Sequence, residues 1–321
     1  MIIGLLYDYK RDYNIEDDLY CDFSYETEVQ NVRDALNQLG YIIYDIGNIE
    51  NFWKKIVNGK LEVDLIFNMI EGFKSRNREG IVPAICEALG IKYIGTDAFG
   101  MSLTLHKFHT SLLVRSLGVR TPESVLFDFD VQRIDDLMNN IEKKSMEFPL
   151  IVKPNHEGSS MGVTLVRGPE ELKDAVKDIC IKFSQQVLCQ EYILGEEMSV
   201  PMIETKEGIK ILGIVGFSQS NGEELGIFTT EKKNNNLHLQ RSPMQRKEVL
   251  SKIEKDSINI FKLLKLRAYC RMDWIVKSNV PYFLEATPLP SFEKGNCFEW
   301  CAYNISKSFS DVLKSVIENA I

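Results

Sequence analysis

Two short stretches near the C-terminus carry the residues best suited to chemistry. Arg271-Met272-Asp273-Trp274 and Tyr282-Phe283-Leu284-Glu285-Ala286-Thr287 read as the two halves of a hairpin, with the carboxylates of Asp273 and Glu285 on one face. Hard oxygen ligands so arranged suit Mg²⁺, which shares its shell with water and nucleotide phosphates. Either acid alone would read as a solvated strand residue. Among so many apolar neighbours, the pair requires a compensating ion or base. Two lysines form a second group. Lys107 follows Asp97 in a helical stretch, and Lys153 ends an apolar strand. A lysine in that position awaits an anion, the alternative being an ion pair with Glu157 or Glu197. The next residues, Glu157-Gly158-Ser159-Ser160-Met161-Gly162, form a loop whose backbone N–H groups and hydroxyls can close over an anion. A third group is Gln190-Glu191-Tyr192-Ile193-Leu194-Gly195-Glu196-Glu197, a strand running into a turn. Its backbone can meet a flat base edge, and a later carboxylate can take ribose hydroxyls.

These groups need elements to hold them. Through about residue 95, strands at 2–7, 41–44, 63–68 and 91–94 alternate with helices at 27–39 and 82–89, which predicts an open α/β sheet. No GxGxxG follows the first strand, because Gly4 stands alone, and this argues against a nicotinamide dinucleotide domain. A helix at 103–117 follows, then strands at 150–153 and 163–166 flanking the Gly/Ser loop. From 187 onward strands dominate, at 187–193, 198–203, 209–217, 269–276 and 282–286, with helices at 246–264 and 305–317. Residues 218–245 are polar and read as a long surface loop of the kind that often closes over a site. The organisation predicted is three parts: residues 1–97, 98–188 and 189–321.

Composition excludes several function classes. The chain has 321 residues, enough for two or three domains, and is 44% apolar. A net charge of −8 and a pI near 5.3 argue against a nucleic-acid partner. No apolar run approaches the length of a membrane span, and the N-terminus reads as a strand and not as a signal peptide. Seven scattered cysteines without a CxxC pair read as reduced thiols of a cytoplasmic protein, with Cys297 and Cys301 on one helix face.

Taken in order, these motifs resemble one known family. A strand lysine with a Gly/Ser loop precedes a hinge with a downstream glutamate; an Arg-x-Asp strand and a Leu-Glu-x-x-x-x-Pro strand follow. This is similar to the ATP-grasp carboxylate–amine ligases, D-alanine–D-alanine ligase and its relatives most of all. The likeness extends over about residues 60 to 295 and includes Glu79-Gly80-Ile81-Val82-Pro83-Ala84, the run from Gly90 to Asp97, and Phe148-Pro149-Leu150-Ile151-Val152-Lys153-Pro154. The resemblance implies an ATP-grasp fold behind an N-terminal open α/β domain, and a ligase that forms an amide through an acyl phosphate. It implies ATP and Mg²⁺, with Mn²⁺ as a substitute, small amino-acid or peptide-like substrates, and a homodimer through the N-terminal domain. Residue by residue, it implies that Lys107 and Lys153 hold the phosphates under the loop of Gly158, Ser159, Ser160 and Gly162. Gln190, Glu191, Tyr192 and Ile193 would face adenine, and Glu197 ribose. Lys233 matches the lysine of the family's omega-loop lid, Arg271 the arginine that stabilises the tetrahedral oxyanion, and Asp273 and Glu285 the magnesium ligands.

The departures fall at the metal and substrate positions. Thr287 stands where the family has an asparagine metal ligand, and Pro290-Ser291 where it has Pro-Gly beside the second substrate. Tyr25-Glu26-Thr27-Glu28-Val29 replaces its Glu-Arg-Glu-Val-Ser-Leu string. Its His-Gly becomes Glu71-Gly72, followed by Lys74, Arg76 and Arg78; the carboxylate and the three basic residues could pair with each other on a solvated loop. The expectation is a retained ATP site and an altered amino-acid site. The alternatives are D-alanine–D-alanine ligase itself, or an ATP-binding protein without turnover.

Overall fold

The computed structural model describes residues 1–13, 23–72, 75–219, 238–243 and 245–321. Four parallel strands open the chain: β1 (Ile2–Leu6), β2 (Ile42–Gly47), β3 (Leu65–Asn68) and β4 (Tyr93–Ile94), in the order β2-β1-β3-β4. β3 is buried throughout, as a parallel strand covered on both faces must be. One cover is α1 (Glu26–Gln38), whose Val29, Val32, Ala35 and Leu36 fall at helical spacing onto Ile3, Leu5, Leu65 and Phe67. The other is α2 (Ile49–Val57) with α3 (Ile81–Leu89), which bury Phe52, Val82 and Cys86 against Leu6 and Ile66. The chain order reverses between β1 and β3, so their carboxyl ends, near Asp8 and Asn68, flank a natural ligand crevice.

The second sheet is antiparallel, order β5-β8-β6-β7: β5 (Ser124–Phe127), β6 (Leu150–Pro154), β7 (Thr164–Val166) and β8 (Val187–Glu191). α6 (Ile134–Lys143) and α7 (Pro169–Phe183) pack on it. α7 begins on Pro169, where a missing N–H costs nothing, and turns Leu172, Val176 and Ile179 inward. The third sheet is also antiparallel: β9 (Glu196–Thr205), β10 (Gly208–Ile211), β11 (Val215–Gln219), β12 (His238–Arg241), β13 (Tyr269–Lys277) and β14 (Val280–Thr287). Its order is β12-β11-β9-β13-β14, with β10 against β9 and α8 (Lys247–Leu263) packed on the sheet. Two last helices, α9 (Cys297–Asn304) and α10 (Phe309–Ala320), return to the first sheet, where Phe298, Phe309, Val312 and Val316 join the core of Ile3 and Leu5.

Several expected elements divide. The helix read over 103–117 is two, α4 (Ala98–Leu105) and α5 (Lys107–Arg115). His106 (ψ 86°) leaves the helical region, and its ring accepts the His109 N–H as the cap of α5. The strand read over 209–217 is β10 and β11, interrupted where Gly213 faces Cys301; a Cβ there would lie 2.9 Å from its sulfur. The helix read over 305–317 is α10 alone, started by a Ser308–Asp311 capping box, while α9 ends at Asn304. The stretch 218–245 is not all loop, since β12 pairs with β11 inside it. Strand β5 and helices α2, α6 and α7 had no counterpart in the periodicity reading.

Candidate functional site

The second and third sheets are joined by the short turn Tyr192–Gly195 between β8 and β9, and the main cavity lies between them. Gly195 is required there, because a Cβ would lie 2.3 Å from the Val276 carbonyl oxygen. The cavity measures about 820 Å³. Most of the residues singled out above line it: Lys107, Lys153, Gly158, Ser159, Ser160, Gln190, Glu191, Tyr192, Ile193, Glu197, Arg271, Asp273, Glu285 and Ser291. A smaller cavity of about 160 Å³ lies at the carboxyl end of β3, and Glu71, Thr287 and Ser291 line it. Lys107, Gly158, Ser159, Arg271 and Glu285 belong to both walls. Lys233 and Lys74 lie outside the described residues. Gly162 stands behind the loop. Its φ of 65° turns the chain, and a Cβ would lie 2.9 Å from Pro154 and Phe183. Ser159 and Ser160 hold φ of 47° and 62°, consecutive left-handed residues that present the backbone of the loop to the cavity.

The carboxylates face each other as the hairpin reading required, since Asp273 pairs with Glu285 across β13 and β14. Each has a cation beside it. Arg271 donates from Nε to both Asp273 oxygens (2.9 and 3.1 Å) and from Nη2 to Oδ2 (2.8 Å). Ser199 donates to the same carboxylate at 2.6 Å, and Arg271 Nη2 reaches the Thr287 hydroxyl at 3.4 Å. Burial opposes the Arg271 charge, but Asp273 outweighs it and holds the guanidinium above its ordinary pKa. Lys107 Nζ lies 3.3 Å from Glu285. Lys153 has its pKa pushed down to about 8, by burial first and then by Lys107, with Glu285 and Glu197 partly offsetting both. Two carboxylates and the Thr287 hydroxyl on one face could hold a divalent cation that takes its remaining ligands from phosphate and water. Among the described residues no larger cluster of metal-ligating side chains exists.

Other expectations need correction. Arg78 is not on a solvated loop: it is 4% exposed, donates to the His156 carbonyl at 2.7 Å and pairs with Glu157 at 3.4 Å. Glu157, which also accepts from Gln185 at 2.6 Å, thus serves Arg78 in the role considered for Lys153. Buried in this way, Arg78 ties the first part of the chain to the root of the Gly/Ser loop.

Sequence reading missed four contributors. The Asn155 carbonyl accepts the Lys107 N–H (3.2 Å) and its Oδ1 the Phe108 N–H (3.1 Å), so the strand that carries Lys153 also seats the helix that carries Lys107. The signal would have been the start of α5 at Lys107, hidden by the apparent continuity of the helix. Glu28, Asp8 and Asn68 gather at or behind the small cavity. Glu28 has its pKa raised to about 7 by burial, although the Phe292 N–H donates to it at 2.6 Å. Asp8, below Glu71, is raised to about 6 by burial against the N–H groups of Gly72 and Glu71. Asn68 is 1% exposed. Nearby, His106 and His156 are pushed down by burial to about 4 and about 3, so their rings, which meet edge to face with centroids 4.6 Å apart, do so as neutral groups.

Residues 113–318 match the family model described as D-ala D-ala ligase C-terminus. The chain belongs to the D-alanine–D-alanine ligase family. A D-alanine–D-alanine ligase of Clostridium perfringens is 30% identical over 253 residues, 76% of each chain. The uncharacterized protein y4sG of Sinorhizobium fredii is also 30% identical, over 80% of this chain and 74% of its own. Among solved structures, the D-alanine–D-alanine ligase of Bacillus anthracis superposes with a TM-score of 0.78 at 21% identity, covering 100% of this chain and 97% of that one. The VanG D-Ala:D-Ser ligase of Enterococcus faecalis gives 0.76 at 19%, covering 100% and 99%. The α/β architecture is therefore the ATP-grasp fold that D-alanine–D-alanine ligases have. Among the described residues no helix is long and apolar enough to cross a membrane.

Proposed function

We propose that this chain is an ATP-dependent, ADP-forming carboxylate–amine ligase whose amino-acid site differs from that of D-alanine–D-alanine ligase. One observation carries the reading. Lys107, Ser159, Arg271 and Glu285 form the wall shared by the large cavity and the small one, so a nucleotide in the first and an amino acid in the second would meet at charged groups. A carboxylate oxygen of the small substrate attacks the γ-phosphorus, and ADP leaves with the bridging oxygen. An amine nitrogen then attacks the acyl carbon. Inorganic phosphate departs with the C–O electron pair, and the nitrogen loses a proton to give the amide.

The roles follow from chemistry. Lys107 and Lys153 neutralise phosphate charge, and the Gly158–Gly162 loop donates backbone N–H groups and the Ser159 and Ser160 hydroxyls. Gln190 to Ile193 meet the base edge, and Glu197 accepts from ribose. Arg271, permanently charged and forked, faces the developing oxyanion. Lys233 would close over the phosphates. A divalent cation held by Asp273, Glu285 and Thr287, Mg²⁺ or Mn²⁺, would neutralise charge between phosphates. Glu71 and Ser291 contact the amino acid. With the chain divided into three parts at residues 97 and 188, the nucleotide would lie between the second and third parts. The free thiols among the described cysteines suit a cytoplasmic setting.

The test is ADP release with Mg²⁺ against D- and L-amino acids and small peptides. A best substrate other than D-alanine supports the reading. D-alanine ahead by tenfold or more in kcat/KM, about 1.4 kcal/mol, restores the D-alanine–D-alanine ligase reading. No ADP with any acceptor leaves a binding protein without turnover.

A further inference from the structure

A buried cation from outside the matched family region reaches the root of the Gly/Ser loop. Arg78 stands in the single helical turn Arg78–Gly80, ahead of residues 113–318. It is 4% exposed and lines neither cavity. Its backbone is held from two sides. A Cβ on Gly72 would lie 3.1 Å from the Arg78 Cβ, so the Glu71-Gly72 turn packs directly on it. A Cβ on Gly80 would lie 2.9 Å from the Ala98 carbonyl oxygen, so the helical turn presses on α4. From this seat the guanidinium forks across two consecutive residues. Nη1 donates to the His156 carbonyl at 2.7 Å, and Nη2 to Glu157 at 3.4 Å. Gln185 holds the same two residues, donating to Glu157 at 2.6 Å and accepting the His156 N–H at 2.8 Å. His156 and Glu157 are thus gripped at backbone and side chain just before Gly158. The chain after them turns tightly, with the Met161 N–H on the Gly158 carbonyl at 2.9 Å, and Gly158 and Ser159 line both cavities. Consecutive left-handed residues deliver their N–H groups to an anion only as well as the entry of the loop is fixed. With both partners buried, the Arg78–Glu157 pair is not a solvent-screened surface contact.

We infer that Arg78 is a positioning residue for ATP: through His156 and Glu157 it sets the Gly158–Gly162 loop in the arrangement that receives the phosphates. The inference rests on the nucleotide half of the reading above and gives the residues ahead of the matched region a part in it. Two other roles for the pair have different consequences. Acting by charge alone, Glu157→Gln would tighten ATP, because it removes a negative charge from the cavity wall, and Arg78→Lys would change nothing. Acting only to hold the fold together, the pair would affect any nucleoside along with ATP. Positioning of the loop weakens ATP in both variants and spares adenosine, which has no phosphate for the loop to hold. Lysine reaches one acceptor where arginine forks to two. Glutamine must set its NH₂ group against Arg78 or Gln185, both of them donors.

The experiment measures binding to the full chain with Mg²⁺, ATP by titration calorimetry and adenosine by ligand-detected NMR. It compares the unaltered protein, Arg78→Lys and Glu157→Gln, and thermal unfolding reports whether each variant folds. Each folded variant should weaken ATP by about fivefold or more, the worth of one hydrogen bond to a charged group, and leave adenosine within about twofold. A smaller loss of ATP affinity, a tightening in Glu157→Gln, or a loss of adenosine affinity beyond about twofold overturns the inference. The unaltered protein decides even if neither variant folds. Contacts that strengthen ATP binding are strengthened by ATP through the same factor, so ATP, but not adenosine, should slow amide exchange at Arg78–Gly80. Exchange there that ATP leaves unchanged overturns the inference while the nucleotide reading stands. An unaltered protein that does not bind ATP overturns the nucleotide reading and this inference with it.

Discussion

Lys153 gives a quantitative handle on the proposed nucleotide site. Its pKa falls from 10.5 to about 8 because burial and Lys107 disfavour the ammonium more than Glu285 and Glu197 favour it. At about 1.4 kcal/mol per tenfold, the ligand-free protein holds about 3 kcal/mol against that charge. Phosphates arriving in the cavity would reverse the balance, so the nucleotide-bound pKa returns toward its ordinary value. The sign follows from linkage: the complex binds more protons than the free chain between about pH 8 and 10. Apparent ATP affinity should be flat below pH 7.5, with about half a proton taken up per ATP at pH 8, and should then weaken by up to tenfold per pH unit. Stability has a related sign. A lysine with a depressed folded pKa contributes stability above pH 10.5 that is lost as pH falls through about 8. Titration calorimetry in two buffers of different ionisation enthalpy measures the proton directly. Lys153→Arg stays charged throughout and should abolish the pH dependence; Lys153→Met should abolish it and weaken binding at every pH. An affinity flat to pH 9.5 in the unaltered protein, or the same slope in Lys153→Met, refutes the assignment of Lys153 to the phosphates.

Arg271→Lys should lower turnover by about a hundredfold with little change in ATP affinity, because the fork to Asp273 and the developing oxyanion is lost while the charge stays; steady-state kinetics and nucleotide binding separate the two. Glu285→Gln should leave Lys107 without its carboxylate and cost about a hundredfold or more in ADP release, read in the same assay. Arg78→Met removes the cation from beside a buried carboxylate and should destabilise the chain by about 3 kcal/mol, measured as a lowered urea midpoint. Asp8 and Glu28, raised to about 6 and about 7, contribute stability that is present below about pH 4 and lost as pH rises through those values; melting between pH 4 and 8 should show it, and Glu28→Gln should flatten the upper part of that decline.

The sequence singled out the proposed nucleotide side of the site more clearly than the amino-acid side, for a physical reason. Lys153, the Gly/Ser loop, Arg271, Asp273 and Glu285 sit in short strands and turns where residue type and spacing draw attention to them, while the roles proposed for them come from the family resemblance. Glu28 and Asn68 come from α1 and the end of β3, and Asp8, behind them, from the loop after β1. Only the parallel order β2-β1-β3-β4 brings these segments together, and periodicity reports no such order. Asn155 was hidden by a different effect. Residues 98–115 keep an apolar pattern through His106, so the break that makes Lys107 the first residue of a helix left no mark in hydrophobicity. Arg78 read as solvated because nothing local signals that Glu157, far along the chain, will be buried beside it.

The two ion pairs at the shared wall explain how such a site remains folded when empty. Asp273 and Glu285 on adjacent strands would repel each other in a part-buried setting, and Arg271 and Lys107 hold them in place. Those same cations are the groups assigned to oxyanion and phosphate. A divalent cation arriving alone would displace Arg271 and Lys107 from their carboxylates and leave both without counter-charge. Nucleotide phosphates arriving alone would draw Lys107 from Glu285 and leave the carboxylates facing polyphosphate. Together, the cation takes the carboxylates while the phosphates take Lys107, so of these charges only Arg271 is left for the substrate's developing oxyanion. Metal and nucleotide should therefore bind with positive coupling, each strengthening the other by the same factor. Nucleotide titrations at increasing Mg²⁺ measure that factor. Glu285→Gln, which removes one carboxylate from the exchange, should reduce it, and a factor near one in the unaltered protein would mean that the ion pairs persist in the complex and play no part in binding.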